Sequence, residues 1–108
     1  VLDGSRDAAT AEALMRARYS AHARGDEAFL RRSWHPDTVP PQVTDHDLRW
    51  TGLEVRSVEA GRQLDRTGTV TFAARFERAG RAGLLVERSR FVRSGTRWLY
   101  LDGDTLPG

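Results

Sequence analysis

The chain has 108 residues, enough for one domain with its own core and too few for two. A charged fraction of 30%, a mean hydropathy of -0.56 and apolar runs of only a few residues exclude a membrane-spanning helix, and no signal-peptide pattern is expected within these residues. All 17 basic residues are Arg against 15 Asp and Glu, so a pI near 9.9 accompanies a net charge of only +2; nucleic-acid binding would need a clustered patch and not this count.

From the N-terminus, Val1 to Ala9 lacks periodicity and reads as a frayed lead-in. Thr10 offers an N-cap hydroxyl, Glu12 places negative charge in the first turn, and Gly25 stops the helix predicted over Ala11 to Arg24. At about 100° per residue, Ala11, Leu14, Met15, Arg18, Tyr19, Ala21 and His22 share one sector. The apolar face therefore carries an arginine near its centre, and a buried guanidinium needs a partner because it cannot shed its charge. Asp26 caps a second helix predicted from Glu27 to Trp34, with Phe29, Leu30, Ser33 and Trp34 on one face; His35-Pro36 ends it. Asp37 to Asp47, with Pro40 and Pro41, reads as a loop.

From Leu48 the pattern changes to strand. Leu53 and Val55 alternate with Glu54 and Arg56 up to about Gly61, and Val70, Phe72, Ala74 and Phe76 alternate with Thr71, Ala73, Arg75 and Glu77. Ala79 to Gly83 turns the chain into Leu84 to Arg93, and Ser94-Gly95-Thr96 turns it into Arg97 to Asp102. Two helices followed by a four-stranded meander predict a single α+β domain over residues 1–108, with the helices packed on one face of a curved antiparallel sheet.

Leu14-Met15-Arg16-Ala17-Arg18-Tyr19-Ser20-Ala21, Gly25-Asp26, Ser33-Trp34-His35-Pro36, Trp50-Thr51-Gly52-Leu53-Glu54, Glu87-Arg88-Ser89-Arg90-Phe91-Val92 and Trp98-Leu99-Tyr100-Leu101-Asp102-Gly103 occur in that order. Together they resemble the YchJ-like bacterial family of uncharacterised function. The resemblance implies the cystatin-like α+β cone of the nuclear transport factor 2-like superfamily, which encloses a pocket between sheet and helix. Family members commonly carry a cysteine-rich SEC-C zinc motif before this domain; this chain has no Cys, so zinc is not carried over. His22 stands where the resemblance leads one to expect an aromatic such as Phe, and Val86 where it leads one to expect His before Glu87.

Strand parity places Leu85, Glu87, Ser89 and Phe91 on one face, and Trp98, Tyr100 and Asp102 on one face of the last strand. The expected pocket candidates are Arg18, Tyr19, His22, Trp34, Phe72, Glu87, Ser89, Trp98 and Tyr100, with Arg18 paired to Glu87. Such convergence of a few polar groups in an apolar space suits a small-molecule ligand, although a satisfied core ion pair would look the same. The reading is therefore a ligand- or partner-binding domain. One alternative is a cofactor-free acid–base enzyme of isomerase or dehydratase type acting on a small apolar molecule; the other is a protein- or nucleic-acid-interaction module. No phosphate loop, nucleophile elbow or thiol is present, no cofactor is expected, and the balance is against an enzyme. His35, Asp37, Asp45, His46 and Asp47 lack metal-ligand spacing and are read as turn formers. Arg56, Arg75, Arg88 and Arg90 are expected outward among Glu54 and Glu77, with cross-strand pairing favoured over nucleic-acid contact. Val86, Val92 and Trp50 on that face would suit a homodimer through the sheet. With no disulfides to need an oxidising compartment, the cytoplasm is the expected location.

Overall fold

The computed structural model describes residues 8–107, so the expected lead-in lies mostly outside the described residues. Helix α1 spans Ala11–Arg24 and α2 spans Glu27–Arg32; strands β1 (Leu48–Ala60), β2 (Thr67–Arg78), β3 (Arg81–Ser94) and β4 (Arg97–Leu106) follow. The strands pair antiparallel in sequential order, and both helices lie on one side of the sheet, as the meander pattern predicts.

Thr10 Oγ1 accepts the Ala13 N–H at 3.1 Å, satisfying one of the orphan donors at the start of α1. At the other end Gly25 adopts φ 71°, a left-handed conformation that glycine enters without steric cost. α1 buries Ala11, Leu14, Met15, Ala17, Arg18 and Ala21. The second helix is shorter than predicted. Ser33 becomes its C-cap, and Trp34 leaves to form a parallel bridge with Tyr100. Tyr100 N–H donates to Ser33 O and His35 N–H to Tyr100 O, each at 2.8 Å. Two sheet-type hydrogen bonds thus replace a last helical turn and moor the helical layer to β4.

The core joins α1, α2 and the concave sheet face through Leu14, Met15, Leu30, Val70, Phe91 and Trp98. Complete burial of Leu30 and near-complete burial of Phe91 contribute roughly 1.5–3 kcal/mol each. Three bulges decide which residues face that core. Extra residues at Thr51 and Arg56 keep Trp50, Leu53, Val55 and Val58 opposite Phe76, Ala74, Phe72 and Val70. An extra residue at Leu101 leaves Tyr100 opposite Phe91 but sets Asp102 opposite Arg90 and Gly103 opposite Ser89. Thr38 Oγ1 donates to the carbonyl of that bulged Leu101 at 2.6 Å.

Two expectations are corrected by these bulges. Trp50 is not on the outer face but turns inward, with its ring 5.7 Å from that of Phe76. Asp102 does not share the Tyr100 face; it points outward and accepts from Arg90 Nε at 2.6 Å.

Candidate functional site

Between α1 and the concave sheet face lies a cavity of about 210 Å³. The helix presents Met15, Arg18, Tyr19 and His22 to it, on one face over two turns as i, i+3, i+4 and i+7. Trp34 enters from the bridge to β4. The sheet contributes Trp50, Phe72, Ala74, Leu85, Phe91 and Tyr100 as a largely apolar wall, into which Glu87 and Ser89 project from the middle of β3. Glu87 reaches this face because β2 and β3 pair without a bulge, which sets Phe72 opposite Glu87 and Val70 opposite Ser89.

Eight of the nine candidates line this space, and Trp98 does not. Trp98 shares the inward face of Tyr100 but lies under the start of α1, where its Nε1 donates to Ala9 O at 3.2 Å. Trp50 was missed. The available signal was Gly52, since a lone glycine inside a strand pattern marks a bulge.

Arg18 and Glu87 form no contact ion pair, contrary to expectation. Arg18 Nη1 donates to Leu30 O at 2.9 Å and to Ser33 Oγ at 2.7 Å. Its guanidinium carbon lies 4.8 Å from the Trp34 ring centre and 4.6 Å from that of Tyr100, so the cation is held between two aromatic faces. Ser33 Oγ in turn donates a hydrogen bond to Phe29 O at 2.7 Å. The guanidinium therefore finds carbonyl, hydroxyl and π partners where the sequence suggested a carboxylate.

Glu87 has its own partners. Its Oε2 accepts from Ser89 Oγ at 2.6 Å and from Tyr100 Oη at 2.9 Å, while Oε1 has no hydrogen-bond partner among the described residues. Tyr100 is thus the link between the two charges, its ring against Arg18 and its hydroxyl on Glu87. Burial pushes the Arg18 guanidinium down to about 10, opposed by the charge interactions with Tyr100 and Glu87; it stays cationic at neutral pH. Burial and then the Arg18 charge push the His22 imidazole down to about 4. Burial, followed by the Glu87 carboxylate, pushes the Tyr100 phenol well above its usual value. At neutral pH both His22 and Tyr100 are uncharged. Trp34 Nε1 is buried without a hydrogen-bond partner among the described residues.

A second concavity, of about 500 Å³, lies between the end of α2 and the β3–β4 hairpin, lined by Arg31, Arg32, His35 and Arg97 among others. Two of its arginines are occupied with main-chain carbonyls, Arg31 with Pro40 and Pro41 and Arg97 with Arg32, while the Arg32 guanidinium lies over the Phe29 ring at 5.3 Å. His35 Nδ1 accepts the Asp37 N–H at 3.1 Å, and Asp45 Oδ2 accepts from Arg78 at 2.8 Å. Among the described residues no group of three or more His, Cys, Asp or Glu could hold a metal ion. On the outer sheet face Arg49 pairs with Glu77 at 2.7 Å, Arg56 with Glu54 at 3.1 Å, and Arg90 with both Asp102 and Asp104 at 2.6 and 2.7 Å. No helix among the described residues is long and apolar enough to cross a membrane.

Comparison with known proteins places this geometry in context. The family model for the middle, NTF2-like domain of YchJ matches residues 10–103. A UPF0225 protein of Streptomyces avermitilis is 50% identical over 102 residues, which cover 94% of this chain and 70% of that protein. A UPF0225 protein of Streptomyces coelicolor is 48% identical over 104 residues, covering 95% of this chain and 81% of the relative. Among solved structures, a SEC-C motif-containing protein from Rhodopseudomonas palustris superposes with a TM-score of 0.82 at 30% identity, over 98% of this chain and 86% of that one. Another, from Psychrobacter arcticus, superposes with a TM-score of 0.74 at 26% identity, over 99% and 69%.

Proposed function

Because this chain belongs to the family of the YchJ middle domain, with its NTF2-like α+β fold, we propose that it works as a binding domain for a small molecule held between α1 and the sheet. The observation that carries the reading is the 210 Å³ cavity, walled by aromatic and aliphatic side chains and entered by a few converging polar groups. An apolar cavity of about 150 Å³ accepts benzene. The space here therefore suits one ring with a short substituent, and Met15, Phe72, Ala74 and Leu85 offer such a ring apolar contact.

The test is a titration with one-ring compounds followed by NMR amide shifts, on the wild type and on Ala74→Leu. Ala74 is fully buried in the cavity wall, so leucine fills the space. Shifts in α1 and mid-β3 that vanish in a folded Ala74→Leu protein are expected. Equal binding by that variant, or no binding by either protein, would sink the reading.

The unbonded Oε1 of Glu87 favours a second reading, a cofactor-free acid–base enzyme in which that oxygen accepts a proton from the bound molecule. His22 does not serve such chemistry as an acid at neutral pH, being held down to about 4. Pairing of Arg49, Arg56 and Arg90 with carboxylates makes the outer face a mixed-charge surface, which weighs against nucleic-acid binding there.

A further inference from the structure

The reading of the cavity as a binding site can be taken further, to the charge and head group of what it binds. The lining holds one cation, Arg18, and one acidic side chain, Glu87, among aromatic, aliphatic and hydroxyl groups and an imidazole, His22, that burial keeps neutral. The two charges interact through space without touching, and each is held by its own partners. The anchoring is one-sided. Arg18 uses only Nη1, leaving Nε and Nη2 without hydrogen bonds among the described residues; Glu87 uses only Oε2, leaving Oε1. Apart from the unpartnered Trp34 Nε1–H, the two charged side chains thus leave room for one acceptor beside Arg18 and one donor beside Glu87.

We infer that the ligand is a neutral one-ring molecule whose head group carries a hydrogen-bond acceptor and donor side by side, the acceptor taken by Arg18 and the donor given to Glu87 Oε1. Amides, lactams and related groups have this layout. An ionic ligand is disfavoured for a physical reason. An anion gains from Arg18 what it loses to Glu87, and a cation the reverse, so neither recovers the cost of leaving water. A purely apolar ligand leaves Glu87 Oε1 and the Arg18 N–H groups without partners in a space it has dried. This inference rests on the binding reading, since it concerns the head group of the same ligand.

Three probes of nearly one shape separate these cases: benzamide, benzoate and benzamidinium, with toluene as the apolar control. Dissociation constants are measured by NMR titration at neutral pH and low salt. Benzamide is expected to bind at least tenfold tighter than either ion and tighter than toluene. Glu87→Gln, confirmed as folded by its amide spectrum, leaves the lining with the Arg18 charge alone, and its preference should move from benzamide to benzoate. Benzoate or benzamidinium binding the wild type as tightly as benzamide overturns the inference. Toluene equalling benzamide overturns it while leaving the cavity a binding site, whereas no binding by any of the four ends both readings. An unchanged order of preference in folded Glu87→Gln also overturns it, because the carboxylate would then not set the ligand's charge.

Discussion

The carboxylate of Glu87 fills the space that a side chain on Gly103 would need: a Cβ at position 103 would collide with Glu87 Oε2. The demand here is one of space and not of backbone conformation, and it can be met only by moving the Glu87 side chain. Gly103→Ala should therefore push Glu87 away from Ser89 and Tyr100, and overpacking of this kind costs about 1–3 kcal/mol. Chemical denaturation would show the loss, and NMR would show the Ser89 and Tyr100 environments moving together. Unchanged stability with an unmoved Tyr100 would mean that the Glu87 side chain is free to sit elsewhere.

Arg18 and Ser33 should behave as one unit. Arg18→Met removes a buried charge-assisted bond to Ser33 Oγ and another to Leu30 O, and leaves Glu87 without a nearby cation, a loss of about 3 kcal/mol. Ser33→Ala should cost about 1–3 kcal/mol by removing a partner from the buried guanidinium. The double variant should lose less than the sum, with a coupling of at least 0.5 kcal/mol in a denaturation cycle. Arg18→Lys should rescue only part of the loss, because an ammonium cannot lie flat between Trp34 and Tyr100.

His22 makes stability depend on pH in a known direction. Its folded value, about 4, is below the unfolded 6.5, so between those values the unfolded chain holds a proton that the folded chain refuses. The His22 contribution is complete above pH 6.5 and shrinks as pH falls toward 4. From pH 7 to pH 5 the protein should lose about 2 kcal/mol through this group alone. His22→Phe should remove that part of the slope, leaving the change due to carboxylates. Parallel slopes for the two proteins in urea titrations at both pH values would contradict it.

Thr10→Ala should weaken the roof of the cavity without touching its lining. It deletes the acceptor for Ala13 N–H at the start of α1, worth about 1 kcal/mol. Hydrogen exchange should quicken in the first turn of α1 more than in β2. Uniform quickening would place the first turn in the same cooperative unit as the sheet.

How much of this was legible in the sequence follows from where the pairing is regular. β2 and β3 pair without interruption, so simple alternation placed Phe72, Glu87 and Ser89 on the cavity side. Trp50 and Asp102 were misplaced because each lies next to a bulge, and a bulge arises from how two strands meet, not from either strand's own pattern. Gly52 hinted at the first; nothing local announced the second, at Leu101. The burial of Arg18 was legible from the helical sector. Its partners were not, because a carbonyl, a serine and two aromatic faces leave no charge signature to match against an arginine. Trp34 was taken as the end of a helix since its face agreed with Phe29 and Leu30; the bridge to Tyr100 is a long-range pairing that outweighed that local agreement.

The extra residue at Leu101 bears on how β4 can change over evolutionary time. On one side of it the even positions Trp98 and Tyr100 answer to the interior; on the other the odd position Gly103 does, while Asp102 answers to Arg90 in solvent. A saturation scan should show Trp98 and Leu99 both intolerant, being buried on opposite faces, and from Tyr100 onward tolerance alternating with period two after a change of phase at Leu101. Removing Leu101 itself would erase the bulge while keeping Asp102 opposite Arg90 and Gly103 opposite Ser89, and would delete the carbonyl that Thr38 Oγ1 bonds. Lineages of this domain are therefore free to vary the exposed outer residues of β4, and a loss of the extra residue at Leu101 would cost the Thr38 contact without turning Asp102 inward.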